Sequence, residues 1–126
     1  MVENLNSADF YYDEISDTLT ISFAPGEPAT GIELSSHILL RVHKDEWRPI
    51  SLQLFDYSLL MQPTEFGLRS VPLDGLADLP LEMRERVIGL LTSQPVSEVL
   101  KLSAFVPAPD TQIPIAGFGR PVQRAA

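Results

Sequence analysis

Residues 37–56 read HILLRVHKDEWRPISLQLFD, two runs of alternating apolar and polar residues with a short polar break between them. Such a pattern predicts an antiparallel hairpin. A three-residue loop at 45–47 places Lys44 opposite Arg48 and makes every pair on one face apolar. Those pairs are Val42 with Ile50, Leu40 with Leu52, and Ile38 with Leu54. Because a slip of one residue would turn this whole apolar set to the other face, burial should select this register.

The opposite face of the predicted hairpin is mixed. Its first strand carries His37, Leu39, Arg41 and His43, and its second carries Phe55, Gln53, Ser51 and Pro49. A serine near two histidines would suit a hydrolase, but six residues of extended chain hold the two imidazoles roughly 20 Å apart. They then cannot support each other in catalysis or share a zinc ion. We predict no catalytic residue and no metal site, and we expect a contact surface made of Trp47, His37, Arg41 and His43.

The composition limits the classes of function. The chain has 126 residues, 44% of them hydrophobic, with a net charge of −8 and no cysteine. It fits one domain over residues 1–126, and thiolate or disulfide chemistry is excluded. Clustered lysine and arginine are missing, so we predict no binding to nucleic acid or to anionic membranes. No signal peptide, membrane-spanning run or phosphate-binding loop is present, which predicts a cytoplasmic protein without a cofactor.

Three strands are predicted before the hairpin, at residues 9–12, 18–23 and 30–34, where apolar residues alternate with polar ones. The turn between the first two contains Asp13, Glu14 and Asp17. Clustered carboxylates can bind a hard cation such as Ca²⁺, but no calcium-loop motif is present. Turn acids usually accept hydrogen bonds from nearby backbone N–H groups, and we expect Asp13 to do so. The five strands predict an antiparallel β-meander over residues 10–58.

The second half of the chain is predicted to cover one face of this sheet. Residues 79–94 form an amphipathic helix that Asp78 caps and Pro95 ends, so the fold class is α+β. The apolar stripe of this helix comprises Leu79, Met83, Val87, Leu90 and Leu91, and its polar side places Glu82 one turn before Arg86.

The remaining segments are less regular in sequence. Residues 57–62 fit a strand or a helix, residues 64–78 are predicted to be connecting chain, and residues 99–106 form a possible extra strand. Residues 107–126 contain four prolines and two glycines, which predicts an irregular C-terminal arm.

The pattern of the first half resembles the domain of unknown function 2283 family, a group of small bacterial β-meander domains. The residues that carry this resemblance are Tyr12, Asp13, Asp17, Leu19, Ile21, Phe23, Ile38, Leu40, Val42, Leu52, Leu54, Asp56 and Ser58. The resemblance implies a fold and no catalytic residues. The family usually has a glycine at the end of the central hairpin loop, where this chain has Trp47. Either the turn differs, or an uncommon backbone conformation sets the indole against another part of the protein.

These observations favour a non-enzymatic interaction or regulatory module that self-associates as a homodimer, by edge-strand pairing or exchange of the arm. The alternative is a ligand-binding protein or enzyme with a pocket between sheet and helix, using Arg41, His43 or Tyr12. Residues 1–40 contain seven acidic residues and no lysine or arginine. A third hypothesis is therefore a basic protein partner that binds through charge.

Overall fold

The computed structural model describes residues 8–64, 67–68, 70–108 and 111–118. The α+β class is confirmed. The strands are β1 (Asp9–Asp13), β2 (Thr18–Ser22), β3 (Thr30–Ser35), β4 (Ile38–Val42), β5 (Pro49–Phe55), β6 (Pro63–Thr64), β7 (Gly67–Leu68), β8 (Ser70–Pro72), β9 (Leu100–Ala108) and β10 (Thr111–Phe118). The α-helices are α1 (Tyr57–Leu60) and α2 (Leu81–Leu91), and 3-10 helices occupy Asp74–Asp78 and Val96–Glu98.

The first five strands form an antiparallel sheet, but the predicted meander order is wrong. The strands lie in the order β1-β2-β5-β4-β3, so β2 pairs with β5 and the chain then crosses to the far edge to begin β3. Only β3, β4 and β5 form a meander. This order places β5 at the centre, where Leu52 and Leu54 face Ile21 and Leu19 of β2 and are completely buried.

The central hairpin keeps the predicted apolar pairs through a different loop. Ile38 faces Leu54 and Leu40 faces Leu52, as predicted. The three-residue loop is wrong, because the His43 N–H donates to the Arg48 carbonyl at 2.9 Å and leaves residues 44–47 as a four-residue loop. The predicted pairs of Lys44 with Arg48 and Val42 with Ile50 are also wrong.

A four-residue loop alone would turn the apolar residues of β5 to the opposite face from those of β4. A bulge in β5 prevents this. Val42 faces Pro49 and Arg41 faces Ser51, so Ile50 is the extra residue on β5. The Ile50 carbonyl instead accepts the N–H groups of Phe23 at 2.8 Å and Ala24 at 3.2 Å. One extra loop residue and one extra strand residue cancel, and the apolar face is preserved.

One core joins the inner face of the sheet to α2. Val87 and Leu91 are buried in the same cluster as the sheet residues, and the rest of the predicted stripe packs against that cluster. The helix is shorter than predicted, and Asp78 ends the preceding 3-10 helix rather than capping α2. The residue before a proline is disfavoured in helical conformation, and Leu79 is accordingly extended ahead of Pro80.

The C-terminal region is more regular than predicted. The strand expected at 99–106 is confirmed as β9, but the predicted irregular arm is wrong, because β10 is the middle strand of a second sheet ordered β8-β10-β9. Pro114 takes part in this sheet as an acceptor, since its carbonyl accepts the Leu73 N–H at 2.8 Å, and Ala116 is buried. Strand β8 and the 3-10 helix lie in what was predicted to be connecting chain. Of the predicted arm, residues 109–110 and 119–126 lie outside the described residues.

Candidate functional site

Trp47 ends the hairpin loop in a left-handed backbone conformation, with a φ of 50°. Its N–H donates to the His43 carbonyl at 2.7 Å, which closes the loop. This conformation is costly for a residue with a bulky side chain. The indole is only partly exposed and packs against the core, with the Arg86 guanidinium of α2 5.4 Å from the ring centroid. The uncommon conformation therefore sets the indole against another part of the protein, helix α2, which is the second of the two predicted alternatives for this position.

A cleft of about 840 Å³ lies where this loop, β3, the 3-10 helix Asp74–Asp78 and the start of α2 meet. Its apolar lining consists of Ile32, Val42, Trp47, Leu79 and Met83. Its size is within the range that holds a drug-sized ligand or a short peptide segment. A pocket beside the sheet and the helix was one of the predicted arrangements, but Arg41, His43 and Tyr12 do not line it.

Gly75 brings the 3-10 helix against the backbone of β3 at one end of the cleft. A Cβ atom on Gly75 would lie 2.0 Å from the carbonyl oxygen of Glu33, so no larger residue fits without a backbone shift. The sequence signal for this contact is a single glycine between Asp74 and Leu76, which is easily read as an ordinary turn residue.

The outer edge of β3 borders the cleft. The His37 carbonyl accepts the Phe55 N–H of β5, and the His43 N–H donates to the Arg48 carbonyl just before β5. Backbone groups alternate in direction along a strand, so those of Ile38, Leu40 and Val42 point to β3. By the register of β3 with β4, Thr30 and Ile32 bond to β4, and the backbone groups of Gly31 and Glu33 point outward. The contact of Gly75 with the Glu33 carbonyl agrees with this direction. Gly31, which has no side chain to shield it, is the exposed part of that edge.

The cleft lining is acidic. Glu33, Asp74 and Asp78 line it together with a single base, Lys44. All four are exposed. Elsewhere on this side of the protein, acids are neutralised by arginine: Arg48 bonds both Glu27 and Glu46, which lowers the pKa of Glu46. Within the described residues, no base forms an ion pair with the three cleft acids.

The three other predicted contact residues lie away from the cleft. His37 is in the β3–β4 turn, with its Nδ1 3.2 Å from the Asp56 carboxylate. The His43 Nδ1 accepts the Glu46 N–H at 3.1 Å and so stabilises the loop. Arg41 is exposed opposite Ser51, on the outer face of the five-stranded sheet, by which we mean the face turned away from the core. The structure thus separates Trp47 from the other three.

A second cluster is centred on Asp17, in a left-handed conformation with a φ of 55°. The Tyr12 hydroxyl donates to its Oδ1 at 2.5 Å, and the Ser58 hydroxyl donates to its Oδ2 at 2.6 Å. The hydrogen bonds from Ser58 and then Tyr12 lower the pKa of Asp17. Asp13 accepts the Ile15 N–H at 3.0 Å, which confirms its predicted role in the turn. This cluster joins the β1–β2 turn to α1.

The Asp17 cluster offers no site for a metal ion. In the part of the chain that the structure describes, no group of three or more histidine, aspartate or glutamate side chains could hold one. Each oxygen of Asp17 is instead used by protein donors. The cluster is therefore structural, and the cleft is the candidate functional site.

No helix among the described residues is long and apolar enough to cross a membrane. Comparison with protein-family models, with curated proteins and with solved structures gives no match. The resemblance seen in residues 10–58 stays a prediction, although three of the residues that carry it, Tyr12, Asp17 and Ser58, form the cluster described above.

Proposed function

We propose that this protein is a non-enzymatic interaction module whose cleft binds an extended segment of a protein partner. The observation that carries the proposal is the position of the cleft along the outer edge of β3, where no described strand pairs. An extended peptide can add to such an edge through main-chain hydrogen bonds, while neighbouring pockets select its side chains. Gly31 supplies the exposed backbone, and Trp47 and Met83 supply apolar surface for a side chain of the partner.

The test is selection of peptides from a random displayed library, followed by titration of the intact protein. Trp47 is the sole tryptophan, so its fluorescence reports directly on the cleft. We expect selected peptides to change that fluorescence and to lose binding in Gly31→Pro. This variant removes an outward N–H without breaking a bond to β4, a change that edge strands tolerate.

A matched pair on α2 provides the control. Met83→Arg places bulk in the cleft, whereas Leu81→Arg adds the same side chain at a residue that is 65% exposed and does not line the cleft. Binding should be lost in the first variant and kept in the second, with circular dichroism verifying that both are folded. Peptides that bind all these variants equally, or a failure to select any peptide, would contradict the proposal.

A small ligand is the second candidate occupant, favoured by the cleft volume of about 840 Å³. A compound that raises the melting temperature, and loses that effect in Met83→Arg but not in Leu81→Arg, would support it. Selection of peptides that bind only outside the cleft would favour it further.

We also propose that two copies associate through the outer face of the five-stranded sheet. On this face, exposed Tyr11 lies in the same cross-strand row as Leu39, and Asp9 lies in the same row as Arg41. Tyr11 and Asp9 are on edge strand β1, whereas Leu39 and Arg41 are on β4, in the other half of the sheet. A two-fold axis along the strands would bring Tyr11 onto the partner's Leu39 and Asp9 onto the partner's Arg41. This would be a homodimer that needs no exchange of the C-terminal arm, whose strand β10 is the middle strand of the second sheet.

Light scattering tests this association. We expect a dimer for the native chain, a monomer for Arg41→Asp, and recovery of the dimer when Arg41→Asp is combined with Asp9→Arg. A native chain that is monomeric at all accessible concentrations would overturn it.

A further inference from the structure

We propose that the segment bound in the cleft is basic, with a lysine or arginine side chain that lies against Trp47 and is neutralised by the acids of the cleft. This inference rests on the proposed function and specifies the chemistry of the partner. Three features of the cleft support it: the charge of its lining, the position of the indole and the backbone edge beside it.

The charges that line the cleft favour a basic segment. Three acids line the cleft against one base, and none of these acids has an ion-pair partner among the described residues. Such a lining disfavours an acidic segment. By its register with Leu39, the Glu33 side chain belongs to the outer face, so a basic side chain against Trp47 gains attraction chiefly from Asp74 and Asp78. The net charge of −8 increases the rate of encounter with a basic segment.

The indole of Trp47 offers a surface for a cationic side chain. Trp47 borders two depressions, the large cleft and a smaller one of about 370 Å³ that Arg86 also lines. The Arg86 guanidinium is 5.4 Å from the ring centroid, and Arg86 lines the smaller depression but not the large cleft. The indole thus already has one cation beside it, and it also borders the cleft in which we place the basic side chain. Cations over a tryptophan ring are attracted by its π electrons, more strongly when water is excluded.

A strand added at the edge of β3 would direct alternate side chains toward Trp47. Side chains of an added strand alternate, so a segment whose backbone bonds at Gly31 would direct alternate residues toward the core side of the sheet, where Trp47, Leu79 and Met83 lie. A long side chain with an apolar stem and a charged end suits that wall, because lysine and arginine bury the stem and keep the charge near water. The preferred partner is thus an extended segment in which a basic residue alternates with polar or small ones.

The experiment uses the intact protein and capped synthetic peptides, made from one sequence selected as above with its contact residue varied among Lys, Arg, Gln and Glu. We expect isothermal titration to give the order Lys or Arg, then Gln, then Glu. Binding of the basic peptides should weaken as salt is raised, while that of the Gln peptide changes little.

Single substitutions locate the charges. Asp74→Asn and Asp78→Asn should each weaken the Lys peptide by about two- to fivefold, and Glu33→Gln, whose side chain is on the outer face, should weaken it less. They should leave the Gln peptide unchanged, and Lys44→Gln should tighten the Lys peptide. Glu14→Gln, an exposed acid in the β1–β2 turn, is the control and should change neither peptide. Trp47→Phe should weaken the basic peptides more than the Gln peptide.

The two proposals fail in different ways. If peptides bind in a manner that Gly31→Pro and Met83→Arg abolish, yet Lys, Gln and Glu versions bind alike, the basic partner is wrong and the interaction module stands. If binding is insensitive to those two variants, both are wrong. A third outcome is that Glu14→Gln and Asp78→Asn reduce the preference for basic peptides equally. That result would mean that the peptides are attracted only by the overall charge of the protein, and it would overturn this inference.

Discussion

The Ser58 hydroxyl donates to the Asp17 carboxylate at 2.6 Å, although 41 residues separate the two in sequence. The Ser58 N–H donates to the same carboxylate, and the Tyr57 N–H donates to the Asp17 carbonyl at 2.9 Å. Asp17 thus anchors the first turn of α1, where the chain leaves β5, to the turn that joins β1 and β2. The pairing of β2 with β5 is thereby extended past the end of β5 by the backbone and the side chain of Asp17.

Replacing Asp17 with asparagine should lower the melting temperature at neutral pH. Asparagine tolerates the left-handed conformation, so the loss will come from the charge and its hydrogen bonds. The pKa of Asp17 is lowered in the folded state, so its stabilisation is present above the ordinary value of 3.8 and is lost as the pH falls through the folded-state pKa. Thermal unfolding followed by circular dichroism from neutral to acidic pH should show the difference between native and variant disappearing in acid. Glu14→Gln in the same turn is the control, and an equal effect of the two would contradict this account.

Tyr12 should ionise unusually late. The hydrogen bond to Asp17, followed by burial and nearby carboxylates, raises its pKa to about 12. Its contribution to stability is therefore complete below the ordinary value of 10.0 and is lost as the pH rises through about 12. Ultraviolet absorbance titration should show a last tyrosinate transition that Tyr12→Phe removes and Asp17→Asn moves to lower pH. An unchanged last transition in Tyr12→Phe would assign it to another tyrosine.

Gly75→Ala should destabilise the fold and deform the cleft. The added Cβ would lie 2.0 Å from the Glu33 carbonyl oxygen, so the 3-10 helix must move away from β3. We expect a loss of about 1–3 kcal/mol in the free energy of unfolding. Gly89→Ala is the matched control, because its Cβ meets nothing within 4 Å and helical alanine should stabilise by about 0.5–1 kcal/mol. Urea unfolding of both variants checks the opposite signs, and equal signs would contradict the close contact.

Trp47→Gly should be more stable than Trp47→Ala, although both remove the indole. Glycine adopts a φ of 50° without strain, whereas alanine retains a cost of about 1–2 kcal/mol. The difference between the two free energies of unfolding measures this strain, reduced by the greater conformational freedom of glycine in the unfolded chain. Equal stabilities would mean that the loop of the variants no longer holds the left-handed conformation.

Leu91→Ala should cost about 2–5 kcal/mol in the free energy of unfolding, because Leu91 is 1% exposed and its removal leaves a cavity between α2 and the sheet. Leu81→Ala on the same helix should be close to neutral, since Leu81 is 65% exposed. Denaturant unfolding of the two variants checks the face on which α2 packs. A similar loss in both would place α2 in a different rotation.

Local sequence patterns predicted the first five strands, β9 and helix α2, but not the strands in residues 63–72 or β10. Alternation identified the apolar pairs of the central hairpin, and Pro80 and Pro95 marked the limits of α2. Alternation reports only which face a residue takes, however, and not which strand lies beside it. The pairing of β2 with β5 depends on burying Leu52 and Leu54 from both sides, a property of the whole sheet that no local window contains.

The candidate site was predicted only in part. Trp47 was identified as anomalous because its position favours glycine, and it does line the cleft. The sequence does not predict that Glu33, Asp74 and Asp78 line one cleft, because they come from two segments that are distant in sequence and meet where Gly75 packs against β3. Prolines in residues 107–126 suggested an irregular arm, whereas Pro114 takes part in a strand through its carbonyl.

The bulge at Ile50 links two places where the length of the chain can change. Deleting one residue from 44–47 alone would shift the strands by one position, and so would deleting Ile50 alone. Deleting both should restore the pairs of Ile38 with Leu54 and Leu40 with Leu52. Length changes in this hairpin should therefore be tolerated when one residue is lost from both the loop and the bulge, and not when one is lost from either alone. A relative with both deletions would show two gaps in an alignment that reflect a single structural change.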